Sequence, residues 1–243
     1  MIRTLWFYGV LVVSTVIHST GVLVAALLGV KRRPGGVYDW GTNDWSRQVL
    51  WAAGTPVRAE GLERIPNRPV VYASNHSSMF DIWALAATLP GSVRMVAKQE
   101  LARIPLVGRA MVTAGHLTID RAHPARALEA YRRAAEVIQG GTSAVVFPEG
   151  TRSRTGELLP FKNAPFGLAI AAQVPVVPVY VGNTFAIMPK GRFFLRPQPI
   201  RIAVGEPIST EGMSLERRQE LRERVHAAIL ALKARVDAEG AAR

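Results

Sequence analysis

The chain has 243 residues, 49% of them hydrophobic and 20% charged, with no cysteine and a formal net charge of +12. That length supports one large domain, or one domain with an appendage, and supplies ample apolar material for a core. Lack of cysteine excludes disulfides, thiolate-held zinc and a cysteine nucleophile, while the charge calls for an anionic partner: nucleic acid, a phosphorylated substrate or an acidic membrane surface.

Residues 4–30, "TLWFYGVLVVSTVIHSTGVLVAALLGV", carry no formal charge. As one helix they would extend roughly 40 Å at ~1.5 Å per residue, enough to cross a hydrocarbon layer of about 30 Å. Lys31, Arg32 and Arg33 follow at once, against a single Arg3 before the run, which puts the rest of the chain on the cytoplasmic side, as at a bacterial inner membrane, if the segment spans. The run is too long for a cleaved signal peptide and no small-residue cleavage site ends it. Ser14, Thr15, His18, Ser19, Thr20 and Gly21 interrupt it, which equally suits a bent segment dipping into one leaflet, with Trp6, Tyr8, Trp40, Trp45 and Trp51 as interfacial anchors. Both readings predict membrane association; a buried core helix rarely stays uncharged for so long.

"KRRPGGVYDWGTND" ends this element, and a short tryptophan-containing helix is predicted over 43–53. Beyond it, strand-like and helix-like segments alternate. Strands are predicted at 69–73, 93–97, 116–119, 143–147 and 176–181, with helices at 79–88, 105–113, 124–139 and 164–172. Such alternation argues an α/β fold, a mixed, largely parallel sheet flanked by helices. A further strand pair is predicted near 192–204. The tail reads as an amphipathic helix over 215–237, with Leu221, Val225, Ile229, Leu232 and Val236 at helical spacing and Arg217, Arg218, Arg222 and Arg224 on a solvated face. The chain therefore divides into a hydrophobic membrane-anchoring part, 1–55, and an α/β domain, 56–243.

Two stretches carry candidate chemistry. In "NHSSMFD", 75–81, Ser78 suits a helix N-cap, and Asp81, three residues on, suits both the cap and the helix dipole. The same spacing lets Asp81 accept a ring N–H from His76, leaving the other imidazole nitrogen to take a proton from a hydroxyl. On this stretch alone the cap is the simpler reading. In "VVFPEGTRSRTGE", 145–157, a turn after an apolar strand projects Glu149 and Arg152 from the strand's carboxyl end, where α/β sheets bind ligands. Arg152 offers a forked donor for phosphate, with Arg154 and Lys162 close by, although an arginine so placed often pairs with a local carboxylate such as Glu149. "HLTIDR" delivers Arg121 at another strand end, and two arginines at successive strand ends begin to form an anion pocket.

The ordered set "NHSSMFD", "KQELARIPLVG", "GHLTIDR", "FPEGTRS" and "VPVVPV" resembles the 1-acylglycerol-3-phosphate acyltransferase family of phospholipid synthesis over residues 57–205. The resemblance implies that His76 is the base that deprotonates the acceptor hydroxyl, oriented by Asp81. It implies that Arg121, Glu149, Gly150, Thr151 and Arg152 hold the substrate phosphate, and that Lys98 stabilises an oxyanion or contacts phosphate. It further implies an O-acyltransferase with no cofactor and no metal, taking acyl-CoA or an acyl-carrier protein as donor and a lysophospholipid as acceptor at an anionic membrane surface. "VPVVPV" matches a block associated with acyl-chain or acceptor contacts, and reads equally well as a buried strand. "FKNAPFGLA" departs from the Lys-x-Gly-Ala stretch of many relatives, which puts the acceptor in question more than the chemistry. Rival readings are an acyltransferase for another lysolipid, a lyso-aminolipid or a glycolipid, and a silent membrane-binding scaffold. Nucleic-acid binding fits the charge but finds no motif and leaves the N-terminus unexplained.

Overall fold

A computed structural model describes residues 1–120 and 124–241. Two helices lead, α1 (Ile2–Leu27) and α2 (Val37–Ala53). The rest alternates: β1 (Val57–Glu60), β2 (Val71–Ser74), α3 (Phe80–Thr88), β3 (Val93–Lys98), α4 (Val107–Thr113), β4 (Leu117–Ile119), α5 (Pro124–Gln139), β5 (Ser143–Val146), α6 (Ala164–Ala172), β6 (Val176–Gly182), α7 (Thr184–Ile187), β7 (Ile200–Val204) and α8 (Arg218–Ala241). The seven strands form one sheet in the order β1-β7-β6-β2-β5-β3-β4. Neighbours run parallel except β6 and β7, so the five strands from β6 to β4 share one direction. The sheet is mixed and largely parallel, as the alternation predicts.

The strands are apolar throughout because both faces are covered. Val71 and Ala73 of β2 join a core with Phe166, Leu168, Ile138 and the α8 residues Leu221, Val225 and Ile229. Val70 and Tyr72 point the other way, onto Phe7 of α1, Val49 and Leu50 of α2, and Phe80, Trp83 and Leu85 of α3. This period of two within a continuous apolar run is the signature of a sheet buried between helical layers.

Three predicted boundaries shift. The second helix starts at Val37, six residues earlier than predicted, because Asp39 in its first turn accepts the Gly35 N–H at 2.8 Å and turns "PGG" into a helix entry. The predicted strand pair near 192–204 reduces to β7. Residues 188–199 are a loop, and Pro197 and Pro199 have no N–H to offer a ladder. The last helix is preceded by a 3₁₀ turn over Leu215–Arg217 and runs on to Ala241.

α1 is a continuous helix whose polarity is inverted. Thr4, Ser14 and Ser19 are buried against the protein, while Leu5, Val12, Val13, Ile17 and Leu27 are exposed. The polar interruptions bind α2: Trp45 Nε1 donates to Thr15 Oγ1 at 3.0 Å, and His18 Nε2 lies 3.0 Å from Asp44 Oδ2. The helix is fastened at both ends. Leu195 N donates to Thr4 Oγ1 and Tyr8 OH to the Phe193 carbonyl, while Val22 and Ala25 pack on Tyr38 of α2 and on Ala110 and Ala114 of α4.

α2 is riveted to the sheet by a buried ion pair. Asp39 accepts from Arg94 Nη1 of β3 and from Ser92 Oγ at 3.1 Å, and both partners of the pair are about 95% buried. Beside them His116 accepts the Met95 N–H, and burial, then the Arg94 charge, push its imidazole down to about 4. The Arg32 and Arg94 guanidinium groups both border the space above Gly115. Asp39→Asn is expected to cost about 3–5 kcal/mol of stability in denaturant titrations of detergent-solubilised protein, because it leaves the buried Arg94 charge without its carboxylate.

Candidate active site

The carboxyl ends of β2, β5, β6, β3 and β4 lie along one edge of the sheet, and the chemistry-bearing segments leave the sheet there. Asn75, directly after β2, donates through Nδ2 to the Val181 carbonyl at 2.9 Å and accepts the Val181 N–H at 2.7 Å. Its amide thus imitates one more peptide of the ladder and sets the direction in which the next residue departs.

That residue is His76. Its Nδ1 is 2.8 Å from Asp81 Oδ2 in the first turn of α3, so Nδ1 carries the proton, since a carboxylate only accepts. The ring stacks on Phe147, centroids 4.0 Å apart and planes 18° apart. Its Nε2 makes no hydrogen bond among the described residues. Asp81 is fully buried. Oδ2 also accepts from Ser77 N at 2.7 Å and Ser78 N at 2.9 Å, and Oδ1 accepts from Thr184 Oγ1. Because the Thr184 hydrogen goes to Asp81, the Ser77 hydroxyl, 2.9 Å away, donates to Thr184. Ser78 starts the helix weakly: Asp81 reaches back to its N–H, as in a capping box, while the Ser78 hydroxyl accepts the Phe80 N–H at 3.4 Å and donates to the Met188 carbonyl at 2.8 Å.

The second stretch clasps the first. His76 N donates to Glu149 Oε1 at 2.6 Å, Ser153 N donates to the His76 carbonyl at 2.8 Å, and Glu149 Oε2 accepts from Leu159 N at 3.0 Å. Glu149 is 3% exposed, and burial, helped by the Asp81 charge against the pull of its two N–H bonds, raises its carboxyl to about 7. Of the residues expected to hold phosphate, Glu149 has both oxygens on backbone N–H groups. The cations stand beside it. Gly150 has φ +74°, and the Lys162 side chain fills the space where a Cβ would sit, with Nζ 3.1 Å from that point. Lys190 Nζ donates to Thr151 Oγ1 at 3.1 Å. Arg152 is half-buried and forms no ion pair among the described residues, so it does not pair with Glu149.

Lys98 ends β3, exposed, two strands from β2 across β5, hence roughly 10 Å away at backbone level. Arg121 lies outside the described residues. The turn before α4 is tight: a Cβ on Gly108 would fall 2.4 Å from the Ala102 carbonyl oxygen, which accounts for the glycine of "RIPLVG". Thr184, Phe147 and Lys190 are the site residues that the motifs did not single out. Thr184 had one signal, its position in "GNTF" just past the apolar strand "VPVVPVYV".

This fold is that of an acyltransferase. A family model described as Acyltransferase matches residues 56–182, and the chain belongs to that family and is an O-acyltransferase. Among its relatives, a 1-acyl-sn-glycerol-3-phosphate acyltransferase of Cocos nucifera is 33% identical over 89% of this chain and 70% of its own length. One from Pseudomonas aeruginosa is 30% identical over 93% of this chain and 88% of its own. The crystal structure of the 1-acyl-sn-glycerophosphate (LPA) acyltransferase PlsC from Thermotoga maritima is similar at a TM-score of 0.83 and 29% identity, over 98% of this chain and 95% of that one. The chain is thus one of the 1-acyl-sn-glycerol-3-phosphate acyltransferase family, as the five motifs imply.

Thr184→Val removes one donor to a buried carboxylate, and kcat is expected to fall about tenfold with the acceptor KM little changed, while Thr184→Ser recovers most of the loss in steady-state assays. Glu149 gives a pH signature. Its folded value lies above the ordinary 4.5, so the contribution of Glu149 to stability is fullest below about 4.5 and is lost as pH rises through about 7. Glu149→Gln is expected to flatten the stability–pH profile between those values, on the order of 3 kcal/mol in wild type, measured by denaturant unfolding.

Proposed function

We propose that the chain moves a fatty acyl group from acyl-CoA or an acyl-carrier protein to the sn-2 hydroxyl of 1-acylglycerol-3-phosphate, giving phosphatidic acid, at the surface of a membrane. The observation that carries this reading is the His76–Asp81 couple, with one imidazole nitrogen committed to a buried carboxylate and the other without a partner among the described residues. The acceptor hydroxyl gives its proton to Nε2 as its oxygen attacks the thioester carbonyl carbon. Asp81 keeps the ring oriented and stabilises the imidazolium. As the tetrahedral adduct collapses, the carbon–sulfur bond breaks and the thiolate takes the proton from the imidazolium. His76 is thereby restored, and no enzyme nucleophile is required.

The acceptor phosphate belongs at the Gly150–Arg152 turn, where Arg152, Lys162 and Lys190 gather, with Lys98 and Arg121 delivered from neighbouring strand ends. Glu149 acts indirectly, by holding the His76 backbone against this turn. The names carried by the relatives from Cocos nucifera, Pseudomonas aeruginosa and Thermotoga maritima support lysophosphatidate as acceptor.

α1 is the one described helix long and apolar enough to cross a membrane. Its attachment at both ends supports a position in one leaflet. Crossing upright over ~39 Å would carry loop 193–195 at one end, or α4 at the other, through the hydrocarbon with it. Lying flat, it gives its outward apolar face to lipid and keeps its hydroxyls on the protein. The catalytic edge then faces the cytoplasmic leaflet, in which the acceptor is dissolved.

Protein reconstituted in lipid is expected to acylate lysophosphatidate, and His76→Ala to lower turnover by at least about 10³-fold with the fold intact by circular dichroism. A matrix of acyl-CoA and acyl-carrier-protein donors against several lyso-acceptors tests the substrates. Undiminished turnover by His76→Ala would overturn the mechanism; activity on a different lysolipid alone would overturn the acceptor.

A further inference from the structure

The loop after α7 carries a feature that acyl transfer does not use. Phe193 and Phe194 are 71% and 67% exposed, two adjacent phenyl rings in water at the tip of a closed loop. Arg192 N donates to the Pro189 carbonyl and Arg196 N to the Ile187 carbonyl, so the tip stands on a hydrogen-bonded base. Arg192 and Arg196 flank the phenylalanines, both exposed. The loop is fastened on two sides. Toward α1, Tyr8 OH donates to the Phe193 carbonyl and Leu195 N to Thr4 Oγ1. Toward the site, the Met188 carbonyl accepts from Ser78 Oγ and Lys190 Nζ donates to Thr151 Oγ1.

We infer that residues 190–196 form a second membrane-inserting element, in which Phe193 and Phe194 enter the interface of an anionic bilayer and Arg192 and Arg196 meet its lipid phosphates. Exposed aromatic rings ringed by arginine are the composition that partitions at the level of lipid head groups. Continuity with α1 selects a bilayer over a protein partner, because the loop is bonded to the N-terminal part of the helix that exposes Leu5, Val12, Val13, Val16 and Ile17. Two attachment points fix the tilt of the molecule where one helix alone leaves it free to roll. The bonds to Ser78 and Thr151 then set the catalytic edge at a constant height above the lipid. The inference rests on the reading that the chain works at a membrane and does not depend on which lysolipid it acylates.

The chain has no cysteine, so single cysteines give unique labels. Nitroxides at Phe194→Cys, at Val16→Cys on the outward face of α1 and at Glu211→Cys, an exposed turn, are compared in full-length protein reconstituted into vesicles of phosphatidylcholine and phosphatidylglycerol. Collisional relaxation by oxygen reports lipid, and relaxation by a water-soluble nickel chelate reports water. Labels at 16 and 194 are expected to be relaxed more by oxygen, and that at 211 more by nickel. A lipid signature at 16 with a water signature at 194 overturns the inference alone; water signatures at both overturn the membrane reading with it. A label at 194 that stays aqueous in vesicles but is shielded by added acyl-carrier protein assigns the loop to the donor and overturns the inference. In kinetics, Phe193→Ser with Phe194→Ser is expected to raise KM for vesicle-borne acceptor about tenfold and leave turnover of a water-soluble short-chain acceptor unchanged. An unchanged vesicle KM also overturns it.

Discussion

The organisation of this molecule depends on a buried negative charge. Asp81 has no exposed surface, and an ion so placed survives only when its lone pairs are filled. Four donors from two separate parts of the chain fill them: the His76 ring, the Ser77 and Ser78 amides and the Thr184 hydroxyl. Meeting that demand curls the loop after β2 around the start of α3 and brings the segment after β6 alongside. The side chain that supplies the histidine's partner therefore also determines the local fold. A cap and a histidine–aspartate couple, alternatives when "NHSSMFD" is read in isolation, are one arrangement.

Polarity is managed in opposite ways at the two ends of the chain. In α8 the apolar residues Leu221, Val225 and Ile229 face the sheet and charged residues face solvent, the usual amphipathic solution. In α1 Thr4, Ser14, Ser19 and His18 face the protein, while Leu5, Val12, Val13 and Ile17 face out. Only Phe7, Val22 and Ala25 of its apolar residues are fully buried against the rest of the chain. Hydrogen bonds across the α1–α2 seam and the anchors at either end help to hold the helix in place, and the outward surface stands ready for a non-aqueous surrounding.

Much of this is legible in the sequence, for physical reasons that vary by region. Apolar runs such as "VVYAS" and "VPVVPV" announce a sheet covered on both faces, and β2 and β6 lie there, side by side. The regular α8 spacing is equally plain. Readings that rested on one residue's partner fared differently. Nothing local says that Asp39 would accept Gly35 N–H and start α2 at Val37, since its other partner, Arg94, lies 55 positions away. Glu149 reads as a ligand contact because carboxylates in strand-end turns usually face solvent, yet its oxygens bind the backbone of His76 and Leu159. Thr184 is 103 positions from Asp81 and belongs to no motif read in the sequence. The inverted face of α1 is readable in principle: its hydroxyls recur on the stripe that meets α2, where a bent helix was the alternative.

The clasp between the two motifs has a consequence for selectivity. Both the amide and the carbonyl of His76 are held by the loop that carries Glu149 and Ser153, so the imidazole and Arg152 of that loop are referred to one backbone frame. The span from imidazole to guanidinium is then set by backbone hydrogen bonds. Under the proposed mechanism a lysolipid would be selected by the number of bonds between its phosphorus and its free hydroxyl, a span that this shared backbone sets.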